Sequence, residues 1–229
     1  MGGIAVYLFC NVNYAVLISK FKMKKDIRTC GSGNPGTTNM LRTFGFKFGV
    51  MTFLLDALKG VIAALAGILI FKYAVGAESA VIAFAGYFFA MCAVLGHIYP
   101  VFLKFKGGKG FATTIGAFLV LQPMWTAIFI VIGLILLIAW DYMSVFALFF
   151  ATALFVQNTV RFFTEPFIAE CGYIWLFIVV MAIVWLAVII AHRSNIKRLL
   201  TGCENKTGIR KAFSKKKKAS SENNNDEKI

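Results

Sequence analysis

Long unbroken apolar runs are the feature that most constrains how this chain can fold. Seven of them fill most of the first 191 residues: residues 4–19, 48–71, 79–102, 111–121, 125–139, 143–163 and 173–191. A helix needs about 20 apolar residues to cross the hydrocarbon core of a bilayer. Backbone polar groups in lipid need partners within their own segment, so such runs form helices. The sequence therefore predicts an all-α, polytopic integral membrane protein with about seven transmembrane helices.

The fourth and fifth runs are shorter than the others. At a rise of 1.5 Å per residue, a helix over residues 111–121 would cover only about 17 Å. Two interpretations stay open: two short spans, or a half-membrane hairpin that turns around Gln122 and Pro123. Both return the chain to the same side of the membrane, so the later topology is the same in either case.

Composition and charge agree with a membrane protein. The chain is 59% hydrophobic and 15% charged, whereas a soluble domain is nearer 45–50% apolar and about 25% charged. The net charge is +14, but the positive residues lie in short loops between apolar runs, so we expect no nucleic-acid partner. Of the 24 Lys and Arg residues, 21 fall in residues 20–47, in residues 104–110 or after residue 191. Positive loops mark the cytoplasm, which predicts an N-out, C-in arrangement.

The chain divides into one membrane domain and a tail. The first apolar run has neither a basic leader nor a following small-x-small site, so we do not expect it to be a cleaved signal peptide. Residues 1–212 are predicted to form the transmembrane domain, and residues 213–229 a basic, polar, disordered cytoplasmic tail. The five cysteines show no metal-ligand spacing, and neither a metal site nor a cofactor is predicted. The oligomeric state stays open.

Residues 31–42 form the first polar stretch with possible chemistry. Its glycines allow tight turns with positive φ, and successive amides in such turns form a concavity that binds anions. Short polar side chains add donors, and Arg42 adds a planar fork suited to phosphate. The other candidate residues here are Gly31, Ser32, Gly33, Asn34, Thr38 and Asn39. Taken alone, the stretch is explained equally well as a loop with a helix cap.

The second polar stretch, residues 104–114, is a glycine loop that runs straight into an apolar helix. A helix N-terminus carries free N–H groups and attracts anions. The candidate residues are Lys104, Gly107, Gly108, Lys109 and Gly110. Neither stretch is a Walker A loop, because that motif needs Gly-Lys-Ser/Thr, and a nucleotide triphosphatase is therefore disfavoured.

The third polar stretch, residues 192–206, begins where the last apolar run ends. On a helix, His192 and Asn195 share one face. We interpret three neighbouring cations as ordinary positive-inside anchors: Arg193, Lys197 and Arg198.

Charged residues also occur inside the apolar runs. Asp56 and Lys59 lie one helical turn apart, and each costs about 2.5–3.5 kcal/mol to insert. They are either a self-neutralising pair or a wall of the functional site. His97, near the predicted cytoplasmic end of the third run, is interpreted as a structural histidine.

Together these stretches resemble the bacterial acyl-phosphate:glycerol-3-phosphate acyltransferase family, PlsY. Four segments in order carry the resemblance: GSGNPGTTNMLR at 31–42, DALKG at 56–60, GHIYPVFLKFKGGKG at 96–110 and HRSNIKRLLTGCENK at 192–206. The chain departs from the usual family residues at Cys10, Asn11, Thr37, Ser194 and Cys203, none of which is a predicted site residue.

The resemblance implies a reaction and a set of residue roles. The 1-hydroxyl of glycerol 3-phosphate attacks a fatty acyl phosphate, which gives lysophosphatidic acid and phosphate, the first acylation step of phospholipid biosynthesis. The implied location is the bacterial cell membrane, with the active site on the cytoplasmic side. Five residues are predicted to be catalytic: Ser32, Arg42, Lys109, His192 and Asn195. Phosphate and substrate binding is assigned to Gly31, Gly33, Asn34, Thr38, Asn39, Lys104, Gly107, Gly108, Gly110 and Glu204, with Asp56, Lys59 and His97 in support.

An acyl phosphate already carries a good leaving group, so the reaction needs no covalent nucleophile. Positioning and electrostatic stabilisation can supply most of the rate. The chain lacks the His-x4-Asp pair of other glycerolipid acyltransferases, because Phe102 and Lys197 stand where the Asp would be. The base is then a substrate phosphate oxygen or His192.

Two other classes of protein compete with this interpretation. A transporter or permease for a phosphate-bearing lipid or anion would use the same loops as gates, but transporters favour broken helices at the midplane and internal repeats. A membrane phosphatase would offer a nucleophile or a metal cluster, and no group with ligand spacing occurs in the sequence.

Overall fold

The computed structural model describes residues 1–169 and 171–208, apart from the side chain of Phe167. The predicted tail, residues 213–229, lies outside these residues. Over the described ranges the regular structure is entirely helical, as predicted. The α-helices are α1 (Gly2–Cys10), α2 (Tyr14–Met23), α3 (Thr37–Phe44), α4 (Phe46–Leu69), α5 (Ser79–Ile98), α6 (Phe111–Leu121), α7 (Pro123–Trp140), α8 (Met143–Thr164), α9 (Pro166–Ala169), α10 (Ile174–Ala191) and α11 (Arg193–Leu200).

Six segments of the described chain are long and apolar enough to cross a membrane. They are Gly2–Met23, Phe46–Ala74, Ser79–Leu103, Pro123–Trp140, Met143–Thr164 and Ile174–Ala191. The fourth predicted run, α6, is short at 11 residues. The prediction that the fifth run is also short is wrong, because α7 has 18 residues. It begins at Pro123, whose missing N–H costs nothing in the first helical turn.

The first span is interrupted where the sequence suggested one run. Helix α1 ends at Cys10 and α2 begins at Tyr14. The side-chain oxygen of Asn13 accepts from the Val16 N–H at 3.0 Å and so caps α2. The carbonyl oxygens freed at the break accept hydrogen bonds from buried Lys59. A break at membrane depth is tolerated because these backbone groups are paired inside the protein.

Glycines let the central helices touch through their backbones. A Cβ on Gly60 of α4 would overlap the carbonyl oxygen of Thr113 in α6, and one on Gly116 would overlap that of Ala57. Small residues at helix crossings allow such close packing in membranes. The resulting α4–α6 contact fixes the start of α6, and with it the loop that precedes this helix.

The helices separate two polar clusters at opposite ends of the bundle. At one end, the loops before α6, after α10 and between α7 and α8 come together through side-chain contacts described below. At the other end, the Tyr87 hydroxyl donates to the Asn158 side-chain oxygen at 2.6 Å, and the Gln122 side-chain amide and the Arg161 guanidinium contact the same hydroxyl. About 15 Å of α5 separates Tyr87 from His97, at 1.5 Å per residue.

Candidate functional site

A polar network at the end of α10 and α11 joins residues that are far apart in sequence. Lys109, in the loop before α6, donates through its ammonium to the Asn195 side-chain oxygen. The Asn195 amide donates to Glu204 at 2.8 Å, and Arg198 Nε donates to the other Glu204 oxygen at 2.9 Å. Asn195 and the Glu204 side chain are buried. The network therefore holds Lys109 at a defined position.

Burial also tunes the charge of Lys109. Loss of solvation lowers the pKa of Lys109 to about 8; the repulsion of Arg198 and Arg42 works in the same direction, while Glu204 opposes it. Near neutral pH the ammonium remains charged. A poorly solvated cation of this kind is a strong partner for a phosphate anion.

His192 lies beside this network, between α10 and α11. It is 3% exposed, and its Nδ1 lies 2.8 Å from the Val188 carbonyl oxygen. A carbonyl only accepts, so Nδ1 carries the proton, and Nε2 of the neutral ring has the free lone pair. Burial and the charge of Lys109 lower the pKa of His192 to about 4. The ring is therefore neutral at physiological pH, with the lone pair of Nε2 free, and its lowered pKa makes it a weak base.

The second glycine loop, residues 104–110, lies against His97. The Gly107 N–H donates to the Ile98 carbonyl oxygen and the Gly108 N–H to that of His97, each at 3.1 Å. A Cβ at Gly107 would overlap the His97 carbonyl oxygen, and one at Gly108 would overlap the His97 ring. Gly110 has φ +79°, a left-handed conformation that favours glycine. These glycines allow the loop to approach α5 and present Lys109.

Behind the loop, Asp56 and Lys59 form a buried ion pair. Lys59 Nζ lies 3.1 Å from Asp56 Oδ1, and His97 Nδ1 lies 3.4 Å from the same oxygen. The lysine also donates to the carbonyl oxygens of Cys10 and Val12, at 3.3 and 3.0 Å. The charges neutralise each other, which was one of the two open interpretations. The pair connects the break in the first span to the histidine beneath the second glycine loop.

The first glycine loop, residues 31–36, is organised by one buried side chain. Asn39 donates to the carbonyl oxygens of Ile27 and Cys30 at 3.2 and 2.9 Å, and its oxygen accepts from the Ser32 N–H at 3.0 Å. Gly31 and Gly33 have φ of +55° and +72°. The structure thus places Asn39 in a supporting position under the loop, while the Ser32 side chain is exposed.

Residues 203–208, the C-terminal segment, cross over the site. Arg42 donates to the Asn205 carbonyl oxygen at 2.8 Å. Further along, the Thr207 hydroxyl donates to Asp141 Oδ1, and the Gly208 N–H donates to the same carboxylate at 3.1 Å. The segment therefore brings Arg42, Glu204 and the α7–α8 junction to one end of the bundle.

The predicted site residues fall into two groups. Five come together around the C-terminal segment: Arg42, Lys109, His192, Asn195 and Glu204. Among the described residues, no recorded contact joins Ser32, Asn34, Thr38 or Lys104 to that network. Lys104 is exposed and adopts a left-handed conformation, with φ +53°.

Two residues at this end of the bundle were not predicted as part of the site. Arg198 was interpreted as a membrane anchor, yet it binds Glu204; its i+3 spacing from Asn195 was the available signal. Asp141 is 5% exposed and holds the C-terminal segment. Nothing in the short Trp-Asp-Tyr junction indicated this role. Over residues 1–169 and 171–208, no group of three or more His, Cys, Asp or Glu side chains is arranged to hold a metal ion.

Known proteins match this chain over nearly all of the described residues. A glycerol-3-phosphate acyltransferase family profile matches residues 2–202. The glycerol-3-phosphate acyltransferase of Thermoanaerobacter pseudethanolicus is 38% identical over 205 residues, covering 90% of this chain and 93% of that protein. Its counterpart from Clostridioides difficile is 36% identical over 208 residues, covering 91% and 95%.

Solved structures agree in fold. The glycerol 3-phosphate form of PlsY, an integral membrane glycerol 3-phosphate acyltransferase, superposes with a TM-score of 0.76 at 32% identity, covering 93% of this chain and 96% of that one. Its lysophosphatidic acid form gives a TM-score of 0.68 at 34% identity, covering 90% and 93%. The profile match, the relatives and the shared membrane fold lead to one conclusion: the chain belongs to the glycerol-3-phosphate acyltransferase family.

Proposed function

We propose that this acyltransferase transfers a fatty acyl group from acyl phosphate to the 1-hydroxyl of glycerol 3-phosphate. The products are lysophosphatidic acid and inorganic phosphate. The convergence of Lys109 and Arg42 beside a neutral His192 is the observation that carries the proposal. Both substrates carry a phosphate, and the arrangement offers two cations together with one proton acceptor.

The two cations suit different aspects of phosphate binding. Lys109 is a compact charge, fixed by Asn195 and poorly solvated. Arg42 is a planar fork, exposed on α3, whose NH2 group already binds the Asn205 carbonyl oxygen. We assign the phosphates of donor and acceptor to these two residues, with the amides of the two glycine loops as further donors.

The acyl group passes directly between the substrates. The acceptor oxygen attacks the acyl carbon, the bond from that carbon to the phosphate oxygen breaks, and phosphate leaves with the electron pair. The cations stabilise the charge that develops on the leaving phosphate. The hydroxyl proton goes to a substrate phosphate oxygen or to Nε2 of His192, the free nitrogen of the neutral ring.

The membrane arrangement fits a lipid-forming reaction. The charge distribution predicts an N-terminus outside and the site on the cytoplasmic side of the bacterial cell membrane. Glycerol 3-phosphate is water-soluble and reaches the site from the cytoplasm, whereas the donor's acyl chain enters from the bilayer. The permease considered from the sequence would bind a phosphate-bearing solute with the same loops, and family membership favours the acyltransferase over it.

The donor is tested by supplying labelled glycerol 3-phosphate to the purified protein with acyl phosphate or with acyl-CoA. We expect labelled lysophosphatidic acid from acyl phosphate. Product from acyl-CoA alone would overturn the donor assignment. Uptake of the label into proteoliposomes without any product would favour the permease.

A further inference from the structure

The C-terminal segment is held in two places, one on either side of the carbonyl group that binds Arg42. On the upstream side, the buried Glu204 side chain accepts from Asn195 at 2.8 Å and from Arg198 at 2.9 Å. The Asn205 carbonyl oxygen follows directly and accepts from the Arg42 NH2 group at 2.8 Å. Arginine binds phosphate through a planar fork, so the orientation of its guanidinium matters as well as its charge. The placement of the Asn205 carbonyl therefore bears on phosphate binding.

Asp141, at the junction of α7 and α8, forms the downstream anchor. Its Oδ1 accepts from the Thr207 hydroxyl and, at 3.1 Å, from the Gly208 N–H. Its own carbonyl oxygen accepts from the Thr207 N–H at 2.9 Å. The Asp141 side chain is buried, so water competes little for these donors. Three hydrogen bonds from the C-terminal segment thus end on this one residue.

The backbone of Asp141 allows the carboxylate to be removed without disturbing the helix end. Asp141 follows the last turn of α7 in a left-handed conformation, with φ +61° and ψ +27°. Gly adopts this conformation freely, and Asn and Asp adopt it more readily than other residues do. Gly at this position therefore keeps the turn and removes only the side chain, whereas Asn keeps both the turn and an acceptor oxygen.

Loss of this anchor would affect the two cations of the site differently. Lys109 would stay supported, because it donates to Asn195, which in turn donates to Glu204. Arg42 would lose one of the two constraints on the carbonyl group that it binds. Loss of solvation lowers the pKa of Arg42, and the carboxylates of Glu204 and Asp141 oppose this shift, so Asp141 lies within electrostatic reach of the guanidinium.

We propose that Asp141 is a positioning residue for the acyltransferase reaction, which fixes the C-terminal segment so that the Asn205 carbonyl orients the Arg42 fork toward a substrate phosphate. Asp141 acts through Arg42 and needs no contact with the substrate. The inference rests on the proposed function, in which Arg42 binds the phosphate of the donor or of the acceptor. Without the anchor the guanidinium samples more orientations, so substrate binding weakens more than the rate of acyl transfer.

Steady-state kinetics with each substrate varied in turn test this role. Asp141→Gly should raise the KM of one substrate about tenfold and change kcat less than about threefold. The same substrate should be the one whose KM rises in Arg42→Lys. Asp141→Asn, whose oxygen takes the place of Oδ1, should stay within about threefold of the wild-type kcat/KM. Lys24→Gly makes the same change at another left-handed helix end, which is exposed, and controls for the added backbone freedom.

A double-variant cycle shows whether the effect passes through Arg42. With Arg42→Lys already present, Asp141→Gly should lower kcat/KM by less than about a further twofold, because the fork that it orients is gone. Losses that multiply would mean that Asp141 acts independently of Arg42 and would overturn the proposal. Normal kinetics in Asp141→Gly would overturn it as well. A loss in Asp141→Asn as large as in Asp141→Gly would assign the effect to the charge of the carboxylate instead of its hydrogen bonds.

Hydrogen–deuterium exchange tests the anchor without any substrate. In Asp141→Gly, amides in a peptide covering residues 203–208 should exchange about tenfold faster, while those of α11 stay unchanged. Unchanged exchange in the peptide would overturn the anchor. Wild-type protein that forms no lysophosphatidic acid would instead refute the proposed function, and the exchange result would still decide whether Asp141 holds the segment. If a thermal melt shows that Asp141→Gly is unfolded, Thr207→Val removes the hydroxyl donor and should raise the same KM about threefold.

Discussion

The two glycine loops look alike in sequence but use glycine for different physical reasons. In the first loop, Gly31 and Gly33 adopt left-handed turns above Asn39, whose side chain holds the loop through three hydrogen bonds. In the second, Gly107 and Gly108 allow the backbone to lie directly on His97. At Gly33 the first loop requires conformational freedom, whereas at Gly107 and Gly108 the second loop requires the lack of a side chain. Gly31 and Gly110 combine a positive φ with close neighbours.

The difference predicts unequal tolerance to an added methyl group. A Cβ at Gly107 meets a backbone carbonyl oxygen that cannot rotate away, so Gly107→Ala must displace the loop and Lys109 with it. We expect kcat/KM to fall by more than about 100-fold, as for misplacement of a catalytic group by about 1 Å.

Gly33→Ala is the matched variant in the first loop. The nearest atom to its Cβ would be the Arg28 carbonyl oxygen at 3.2 Å, so backbone strain of about 1–2 kcal/mol dominates and the loss stays near tenfold. Gly76→Ala has similar strain with open space around it, far from the site, and controls for stability. Equal losses at positions 107 and 33 would contradict the distinction between the loops.

The two cations provide the next test. Lys109→Ala removes a poorly solvated charge and leaves the Asn195 side-chain oxygen without its donor, so we expect kcat/KM to fall about 100-fold, which is near 3 kcal/mol. Arg42→Lys keeps the charge but loses the planar fork, and a loss of about tenfold or more is expected. Steady-state kinetics on folded protein, with Lys24→Ala as an exposed-lysine control, measure both. Near-normal kinetics would remove that residue from the site.

Ser32 tests what the first loop contributes. Loss of a hydrogen bond to a charged substrate costs about 1.5–3 kcal/mol, so Ser32→Ala should slow the reaction roughly 10- to 150-fold.

Cys203, an exposed thiol of the C-terminal segment, is assigned no role, and Cys203→Ser should keep substantial activity. An acyl group trapped on Ser32 or Cys203 at a competent rate, together with ping-pong kinetics, would defeat direct transfer.

The pH dependence of kcat/KM distinguishes the contribution of Lys109 from that of Arg42. The pKa of Lys109 is lowered to about 8, so in the free protein the ammonium loses its charge as the pH rises above this value. The charged form binds phosphate, so kcat/KM should fall toward tenfold per pH unit above about pH 8. Arg42 stays charged throughout this range. In Lys109→Arg the fall should disappear, and an unchanged profile would assign it to another group.

The sequence predicted more of the fold than of the functional site. Apolar run length identified the spans because lipid imposes a length on every helix. It missed the break after Cys10, although Asn13, whose side chain caps α2, was an available signal. The partner of the freed carbonyl oxygens, Lys59, is distant in sequence. Run length also shortened α7, because Pro123 was counted as a breaker although it opens the helix.

The site was predicted as segments rather than as contacts. Motifs indicated Lys109 and Asn195 separately, but their pairing joins positions 86 residues apart. It depends on how both α6 and α10 pack against α5. Arg198 was missed because a cation after a span has a topological explanation already. Asp141 was missed because its partners, Thr207 and Gly208, lie in a segment with no periodic pattern.

Phosphate release measured together with lysophosphatidic acid formation tests the central claim most directly. Purified protein is given acyl phosphate with and without glycerol 3-phosphate, and both products are quantified in the same sample. The account predicts equal amounts of phosphate and lysophosphatidic acid when both substrates are present, and only background release of phosphate without the acceptor. Phosphate release at the same rate in the absence of glycerol 3-phosphate, with no lysophosphatidic acid formed in its presence, would identify a phosphatase and contradict the account.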